Sequence, residues 1–237
     1  IAKLSTHGHE YYGFEALARW DSPSRGLVYP NNFIPLAEEN GLVLDIDFQI
    51  MKKACQQLKQ WQNDGLCQHH YVSCNLFSSH FFNPTLPEEI VALLKAVGLA
   101  PHFLRIELTE RVLLEENDVV LANMKALKQL GVKLLLDDFG TGYSSLSYLH
   151  RFPLDVLKID RSFVHDAPQK DSNRAIIKTI IDLATNLKMA TIGEGIECES
   201  EAAILTKMGC NYGQGYLFSK PITATAMSTL LKNTNKT

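Results

Sequence analysis

The chain has 237 residues, of which 46% are hydrophobic and 21% are charged, and these proportions exclude a disordered or collagen-like polypeptide. Lys and Arg number 23 against 26 Asp and Glu, which gives a formal net charge of −3 at pH 7. The composition therefore offers no basic excess for binding a nucleic-acid polymer or an anionic membrane. No apolar run approaches the roughly 20 residues that cross a bilayer, so no membrane contact by this chain is predicted.

Short apolar runs rich in β-branched and aromatic residues alternate with amphipathic stretches along the chain. The runs predict eight strands, at residues 1–4, 11–17, 71–76, 103–108, 132–136, 156–159, 189–192 and 215–218. The amphipathic stretches predict helices at residues 33–62, 88–97, 117–130, 173–187, 199–208 and 224–231. Alternation of this kind indicates parallel strands joined by right-handed helical crossovers.

Eight strands in a chain of this length favour an α/β fold of the (β/α)₈ barrel type, although a doubly wound sheet remains possible. Only residues 5–10 separate the first two predicted strands, too few for a crossover helix, so we expect an antiparallel hairpin at the start. No linker divides the chain. We therefore predict one domain over residues 1–231, followed by a frayed tail at residues 232–237.

Cysteine usage and the start of the chain bear on its cellular setting. The five cysteines are odd in number and form no C-x-x-C pair, which favours reduced thiols and a cytoplasmic location. The first residue is Ile1 rather than Met, and the residues after it lack the order of a signal peptide. We therefore expect a fragment of a longer protein, and this expectation leaves open a membrane anchor upstream.

Polar side chains follow almost every predicted strand. They are Glu15, Asn75, Glu107, Asp137, Asp138, Lys158, Glu194, Glu197 and Gln214. Any one of them has an ordinary explanation as a helix cap or a solvated side chain. Because the carboxyl ends of parallel barrel strands meet at one face, the group as a whole predicts an active site there.

Six of these residues are carboxylates, and two unit charges 4 Å apart repel by about 4 kcal/mol at an effective dielectric of 20. Divalent cations would relieve that repulsion, and an all-oxygen ligand set suits Mg²⁺ or Mn²⁺ rather than zinc. The consecutive Asp137 and Asp138 could serve two ions. Lys158 has two open interpretations: a salt bridge at the barrel mouth, or a group that orients an attacking water and neutralises developing charge.

The segment DDFGTGYSSL carries Gly140 and Gly142 on either side of Thr141. It lacks the Gly-Lys-Ser/Thr of a phosphate-binding loop. A mobile loop beside the metal site and an ordinary turn both remain possible.

Seven motifs in order resemble the EAL-domain family of bacterial cyclic di-GMP phosphodiesterases. They are EALAR from Glu15, CNL around Asn75, ELTE from Glu107, DDFGTGYSSL from Asp137, KIDRSF from Lys158, GEGIE from Gly193 and QGYLFSKP from Gln214. The resemblance implies a TIM-like barrel with an antiparallel strand near its N-terminus. It also implies hydrolysis of cyclic di-GMP to linear 5′-pGpG, by in-line attack of a water activated by two Mg²⁺ or Mn²⁺ ions.

The same resemblance assigns roles to individual residues. Metal ligands would be Glu15, Asn75, Glu107 and Asp137 for one ion, with Asp137, Asp138 and Glu194 serving the second. Lys158 would hold the nucleophilic water, and substrate contacts would come from Leu17, Arg19, Gln214 and Glu197. A regulatory loop linked to homodimerisation would comprise Glu110, Gly140, Thr141, Gly142 and Ser144. The resemblance also implies an upstream sensory or GGDEF domain. Ca²⁺ is expected to inhibit if the site needs tight octahedral geometry.

Two other functions compete with that of an active phosphodiesterase. A catalytically silent receptor for cyclic di-GMP is one, but degenerate domains of this kind usually lack a metal ligand or the DDFGTG loop, and both are intact here. Glycoside hydrolysis is the other, and it needs only two carboxylates. It leaves the remaining acids and Lys158 unexplained.

Overall fold

The computed structural model describes residues 1–6, 10–115, 117–140 and 149–234. Its strands are β1 Ala2–Lys3, β2 Glu10–Tyr11, β3 Gly13–Ala16, β4 Trp20–Ser22, β5 Gly26–Val28, β6 Tyr71–Asn75, β7 Leu104–Thr109, β8 Lys133–Phe139, β9 Val156–Ile159, β10 Ala190–Gly193 and β11 Tyr212–Gly213. Its α-helices are α1 Pro30–Glu39, α2 Val43–Asn63, α3 Leu86–Val97, α4 Arg111–Leu114, α5 Asp118–Leu130, α6 Arg161–Asp166, α7 Asp171–Asn186, α8 Glu199–Met208 and α9 Ala224–Thr234. Short 3₁₀ helices lie at Ser78–Phe82 and Pro101–Phe103.

Nine strands form one sheet in the order β2-β1-β11-β10-β9-β8-β7-β6-β3. Neighbours from β3 round to β11 are parallel, whereas β1 is antiparallel to both β2 and β11. The backbone N–H groups of Tyr12 and Gly13 donate to the carbonyl oxygen of Ile1, at 2.9 and 3.3 Å, so β2 and β3 act as two parts of one strand that closes the sheet. The predicted TIM-like barrel, with its antiparallel strand near the N-terminus, is confirmed.

Side chains alternate between the inside and the outside of the barrel. On β8, Leu134 and Leu136 belong to the large core between sheet and helices, whereas Leu135 packs with Val156 and Ile192 in a separate cluster. Residues two apart on a strand share a face, so the polar residues that end these strands continue the inner layer that begins with this cluster. The cluster forms an apolar floor under the barrel mouth.

The predicted helix at residues 33–62 is wrong as a single element, because two helices occupy this stretch. Gly41 separates them with a φ of +71°, a backbone conformation that glycine adopts without steric cost. The N–H of Leu42 donates to the carbonyl of Ala37 at 2.8 Å, and the N–H of Gly41 donates to that of Glu38 at 3.1 Å. These bonds end α1 in the manner of a Schellman motif, and α2 starts in a new direction.

The predicted strand at residues 215–218 is also wrong. The last strand is β11, two residues long, and the chain turns immediately after it. The turn is held by Ile196, whose carbonyl accepts from the N–H of Leu217 and whose N–H donates to the carbonyl of Gln214, both at 3.0 Å. The aromatic and apolar residues here therefore lie in a turn rather than in a strand. At the far end, α9 runs to Thr234, so the first residues of the predicted tail are helical.

Replacing Gly215 with alanine is expected to destabilise the fold by about 2–3 kcal/mol, the upper part of the range for overpacking. A Cβ at this position would lie 2.1 Å from the carbonyl oxygen of Ile196, and a backbone atom cannot move aside cheaply. Urea unfolding measures the loss. Gly65→Ala is the matched control, because its Cβ would meet no atom within 4 Å. Equal losses in the two variants would contradict the steric explanation.

No helix among the described residues has the length and apolar character needed to span a membrane.

Candidate active site

The carboxyl ends of the parallel strands bring most of the predicted residues to one mouth of the barrel. Glu15 lies on β3, Asn75 at the end of β6, Glu107 on β7, Asp137 and Asp138 on β8, Lys158 on β9, Glu194 directly after β10 and Gln214 directly after β11. The register of the sheet supports this convergence, because Asn75 on β6 lies directly beside Glu107 on β7 in the parallel pair. The antiparallel β1 lies between β2 and β11 and contributes no such strand end.

Lys158 lies at the centre of the acidic residues. Its Nζ is 2.8 Å from Oε1 of Glu194, 2.9 Å from Oδ1 of Asp137 and 3.8 Å from Oε2 of Glu15, and it donates a short hydrogen bond to Oε2 of Glu107. The lysine is only 1% exposed. A single buried ammonium thus faces four carboxylates that lie at the ends of four different strands. Its one positive charge cannot neutralise all four of them.

Burial and mutual charge shift the pKa values of this group. Burial alone would favour a neutral Lys158, but Glu107 and the other carboxylates around it outweigh that effect and hold its pKa well above the usual value. Burial raises the pKa of Glu107 from 4.5 to about 7 and that of Glu194 to about 8, although Lys158 opposes both shifts. The acids are therefore destabilised in their charged forms, whereas the lysine stays charged.

These shifts predict that the metal-free protein loses stability as the pH rises. Glu107 and Glu194 have higher pKa values in the folded state than in the unfolded chain, so between about pH 4.5 and 8 the folded state binds more protons. The free energy of unfolding must then fall with pH across this window, while Lys158 is protonated in both states and adds no slope. In EDTA, the melting temperature should drop by about 5 °C or more from pH 5.5 to 8. Glu194→Gln should flatten that slope, and a parent curve that is flat or rising would contradict the prediction.

A bulge in β8 turns two consecutive carboxylates toward the site. Consecutive side chains of a regular strand point to opposite faces, but the register between β8 and β9 shifts between Leu136 and Phe139, and Asp138 has a φ of +52°. As a result, carboxylate oxygens of Asp137, Asp138 and Glu194 lie within 4.8 Å of one another. Burial, followed by the charge of Asp137, raises the pKa of Asp138.

The donor atoms of the mouth fit hard divalent cations. All potential ligands are oxygens, which suits Mg²⁺ or Mn²⁺. Oε1 of Glu107 and Oε1 of Gln214 are buried without a hydrogen-bond partner, and such atoms are costly unless something bonds to them. Asn75 Nδ2 donates to Oε1 of Glu15 at 3.0 Å, and Gln214 Nε2 donates to its Oε2. Glu15 is thus fixed from both sides.

The predicted substrate-contacting residues differ in their surroundings. Leu17 is 41% exposed beside the mouth. Arg19 donates from Nη1 to the carbonyl of Ala18 at 2.6 Å, and its Cζ lies 4.9 Å from the centre of the Tyr29 ring. The Glu197 side chain is exposed, and its backbone N–H donates to Oε2 of Glu201 at 2.7 Å. Within the described residues, Gln214 therefore contacts the carboxylates of the mouth through Glu15, whereas no such contact is seen for the Glu197 side chain.

The predicted regulatory loop is described only at its base. Oε1 of Glu110 accepts from the N–H of Gly140 at 2.9 Å, and Gly140 has a φ of +99°. This bond ties the start of the loop to the end of β7. Thr141, Gly142 and Ser144 lie outside the described residues.

A cavity of about 310 Å³ opens beside the mouth, and residues of the EALAR, CNL and ELTE motifs form part of its lining. Its walls are mostly apolar, with Leu17 and Ile34 among them, and they reach Asn75 and Glu107. Asp47 of α2 also lines it, and its Oδ2 accepts from the N–H of Phe77 at 2.7 Å. Sequence analysis missed Asp47 because it stands within an amphipathic helix, where a carboxylate usually faces water.

Comparison with known proteins identifies the family. The family model described as the EAL domain matches residues 4–221. The chain is 39% identical over 223 residues to the cyclic di-GMP phosphodiesterase NbdA of Pseudomonas aeruginosa, covering 94% of this chain and 28% of NbdA. It is 37% identical over 224 residues to the cyclic di-GMP phosphodiesterase PdeR of Escherichia coli, covering 94% of this chain and 33% of PdeR.

A solved structure shows the same architecture. The PaMucR phosphodiesterase in its c-di-GMP complex matches with a TM-score of 0.84 and 36% identity, over 90% of this chain and 86% of that chain. The chain spans about a third or less of the two curated relatives' length. With a family model that covers most of its residues and relatives of this similarity, the chain belongs to the EAL domain family.

Proposed function

We propose that residues 1–231 form one phosphodiesterase domain that hydrolyses cyclic di-GMP to linear 5′-pGpG with the help of two divalent ions. The observation that carries the proposal is the convergence of carboxylates from separate strands on Lys158, with every predicted ligand position occupied by an oxygen donor. The names of the relatives NbdA and PdeR support the substrate.

The ligand set proposed for the ions follows the positions at the mouth. One ion would be held by Glu15, Asn75, Glu107 and Asp137, and the other by Asp137, Asp138 and Glu194. Such ions supply Lewis-acid charge and make an attacking water more acidic. The three carboxylates brought together by the β8 bulge support the second of the two sites.

Lys158 acts in this proposal as a hydrogen-bond donor rather than as a base. The carboxylates around it keep its pKa well above the usual value despite its burial, so it holds its proton at any physiological pH. A fixed ammonium can orient the oxygen of the attacking water and stabilise negative charge that develops on the phosphate oxygens. Glu15, which is held by Asn75 and Gln214, keeps its carboxylate in place beside it.

The cavity next to the mouth accounts for recognition of the base. Its apolar walls can cover the faces of a purine, and Leu17 lies at its edge. Asp47 offers a carboxylate among these walls, and a carboxylate accepts hydrogen bonds from both donors of the guanine Watson–Crick edge. We therefore propose that one guanine of the substrate binds in this cavity and that Arg19, which follows Leu17 and Ala18 of the cavity wall, contacts the phosphodiester.

Incubating the chain with cyclic di-GMP and separating the nucleotides tests the function. Mg²⁺ or Mn²⁺ should yield pGpG, whereas Ca²⁺ should permit binding without turnover, because its longer and more variable ligand distances suit the site poorly. Calorimetry on the same samples distinguishes the alternative. Tight binding of cyclic di-GMP with no pGpG in any of the three metals would contradict hydrolysis and identify a silent receptor.

Assembly and context are proposed on the same basis. Since the curated relatives are much longer than this chain, we expect an upstream sensory or GGDEF domain in the complete protein. We also expect a cytoplasmic location for the domain described here.

We further expect this domain to form a homodimer. Light scattering of the purified chain measures its mass and would contradict dimerisation if only the monomer is found at all concentrations.

A further inference from the structure

The barrel interior holds a buried cation at the end opposite the carboxylates. Arg105 lies on β7 two residues before Glu107, so both side chains share the inner face of that strand. Since Glu107 lies toward the carboxyl end of β7, Arg105 lies toward the barrel base. Its side chain and backbone together are 9% exposed, and no step of the proposed hydrolysis uses it.

Aromatic rings hold the guanidinium of Arg105. Its Cζ lies 3.3 Å from the centroid of the Tyr71 ring and 5.7 Å from that of Tyr12. Tyr12 in turn stacks on Tyr212, with 4.8 Å between the ring centroids. Gly13 leaves room for the Tyr71 ring, because a Cβ there would lie 2.4 Å from a ring carbon. Ring faces fix the plane of the guanidinium, but they satisfy none of its N–H groups.

Part of the hydrogen-bonding capacity of this group is unmet. Nε of Arg105 and the hydroxyl oxygen of Tyr71 are buried, and neither has a hydrogen-bond partner. Within the described part of the chain, Arg105 forms no ion pair with a carboxylate. A guanidinium cannot lose its proton to escape burial, so a charge of this kind is stable only when a counter-charge and hydrogen-bond acceptors reach it.

We propose that the base of the barrel is a binding site for a small inorganic oxyanion of the sulfate or phosphate class. The N–H groups of Arg105 would bind two of its oxygens through the planar fork that suits tetrahedral oxyanions, and the Tyr71 hydroxyl would donate to another. The proposed hydrolysis uses neither Arg105 nor Tyr71, so the expected effect of an occupant is on the stability of the fold.

Thermal melting with sulfate tests the site in the intact chain. EDTA is present so that no metal binds anions at the mouth, and sodium gluconate keeps the ionic strength constant. Millimolar sulfate should raise the melting temperature of the parent by about 3–5 °C. Arg105→Gln should abolish that shift. Lys133→Gln is the matched control, because Lys133 is the register neighbour of Arg105 on β8 but its side chain is 49% exposed and pairs with Asp155, so it should retain the shift.

Calorimetric titration of sulfate provides a second measurement that does not depend on Arg105→Gln folding. Tyr71→Phe keeps the aromatic face and removes one donor, so it should weaken sulfate binding about fivefold. Equal sulfate-induced melting shifts in the parent, Arg105→Gln and Lys133→Gln would identify an unspecific salt effect and overturn the proposal. Absence of a shift in the parent, or unchanged affinity in Tyr71→Phe, would overturn it as well. Because all samples lack metal, these outcomes are independent of whether the chain hydrolyses cyclic di-GMP.

Discussion

Replacing Lys158 with methionine is expected to destabilise the metal-free protein by about 3 kcal/mol or more, the loss typical when one partner of a buried ion pair is removed. Methionine fills nearly the same volume, so the effect is electrostatic. The four carboxylates that the lysine contacts are left without a counter-charge. Added Mg²⁺ should recover much of the loss, because ions bound by the same carboxylates replace the missing charge.

Urea unfolding with EDTA and then with Mg²⁺ measures both effects. Lys178→Met is the matched control: Lys178 pairs with Asp182 one turn along α7, and both side chains are more than half exposed, so it should lose less than about 0.5 kcal/mol. Hydrolysis of cyclic di-GMP by Lys158→Met should fall at least about 10²-fold even with saturating metal. A variant as stable as the parent in EDTA would show that the lysine does not hold the cluster together.

The barrel and its mouth could be predicted from the sequence because the information is local. Apolar runs mark the strands, and the polar residue that ends each run lies at one edge of the sheet by topology alone. Glu15, Glu107 and Lys158 illustrate this, since they are more than 40 positions apart in the chain and meet within a few ångströms. The parallel pairing of the strands brings these three side chains together, although no local sequence pattern links them.

The remaining features depend on tertiary contacts that leave weak local traces. The β8 bulge is set by pairing with β9, and DDFG reads equally well as a regular strand end. The β4–β5 hairpin was missed because its strands are only three residues each and β4 carries the polar Asp21 and Ser22. Asp47 enters the site only because α2 packs across β6, which its own helical pattern does not reveal. Gly41 was a visible helix breaker and could have divided the predicted helix correctly.

The substitution Asp137→Asn is expected to lower activity, while the stability of the metal-free protein stays the same or rises. The amide keeps the size of the carboxylate but removes one negative charge from a group that is crowded around Lys158. Hydrolysis of cyclic di-GMP should fall about 10³-fold, because the proposed scheme gives Asp137 to both ions. In EDTA at pH 8, however, the melting temperature should stay equal or rise, since one source of repulsion toward Glu107 and Glu194 is gone.

Three quantities therefore have to be measured for Asp137→Asn: the rate of cyclic di-GMP hydrolysis, the melting temperature in EDTA, and the change in melting temperature caused by Mg²⁺. The Mg²⁺ shift should shrink sharply, because a neutral amide is a weaker ligand than a carboxylate. Asp182→Asn on the exposed surface of α7 is the control and should change none of the three. Near-normal turnover in Asp137→Asn would refute its place between the two ions. Loss of turnover together with a large loss of stability in EDTA would instead assign Asp137 a structural role, because its charge would then be needed to balance Lys158 rather than to hold metal.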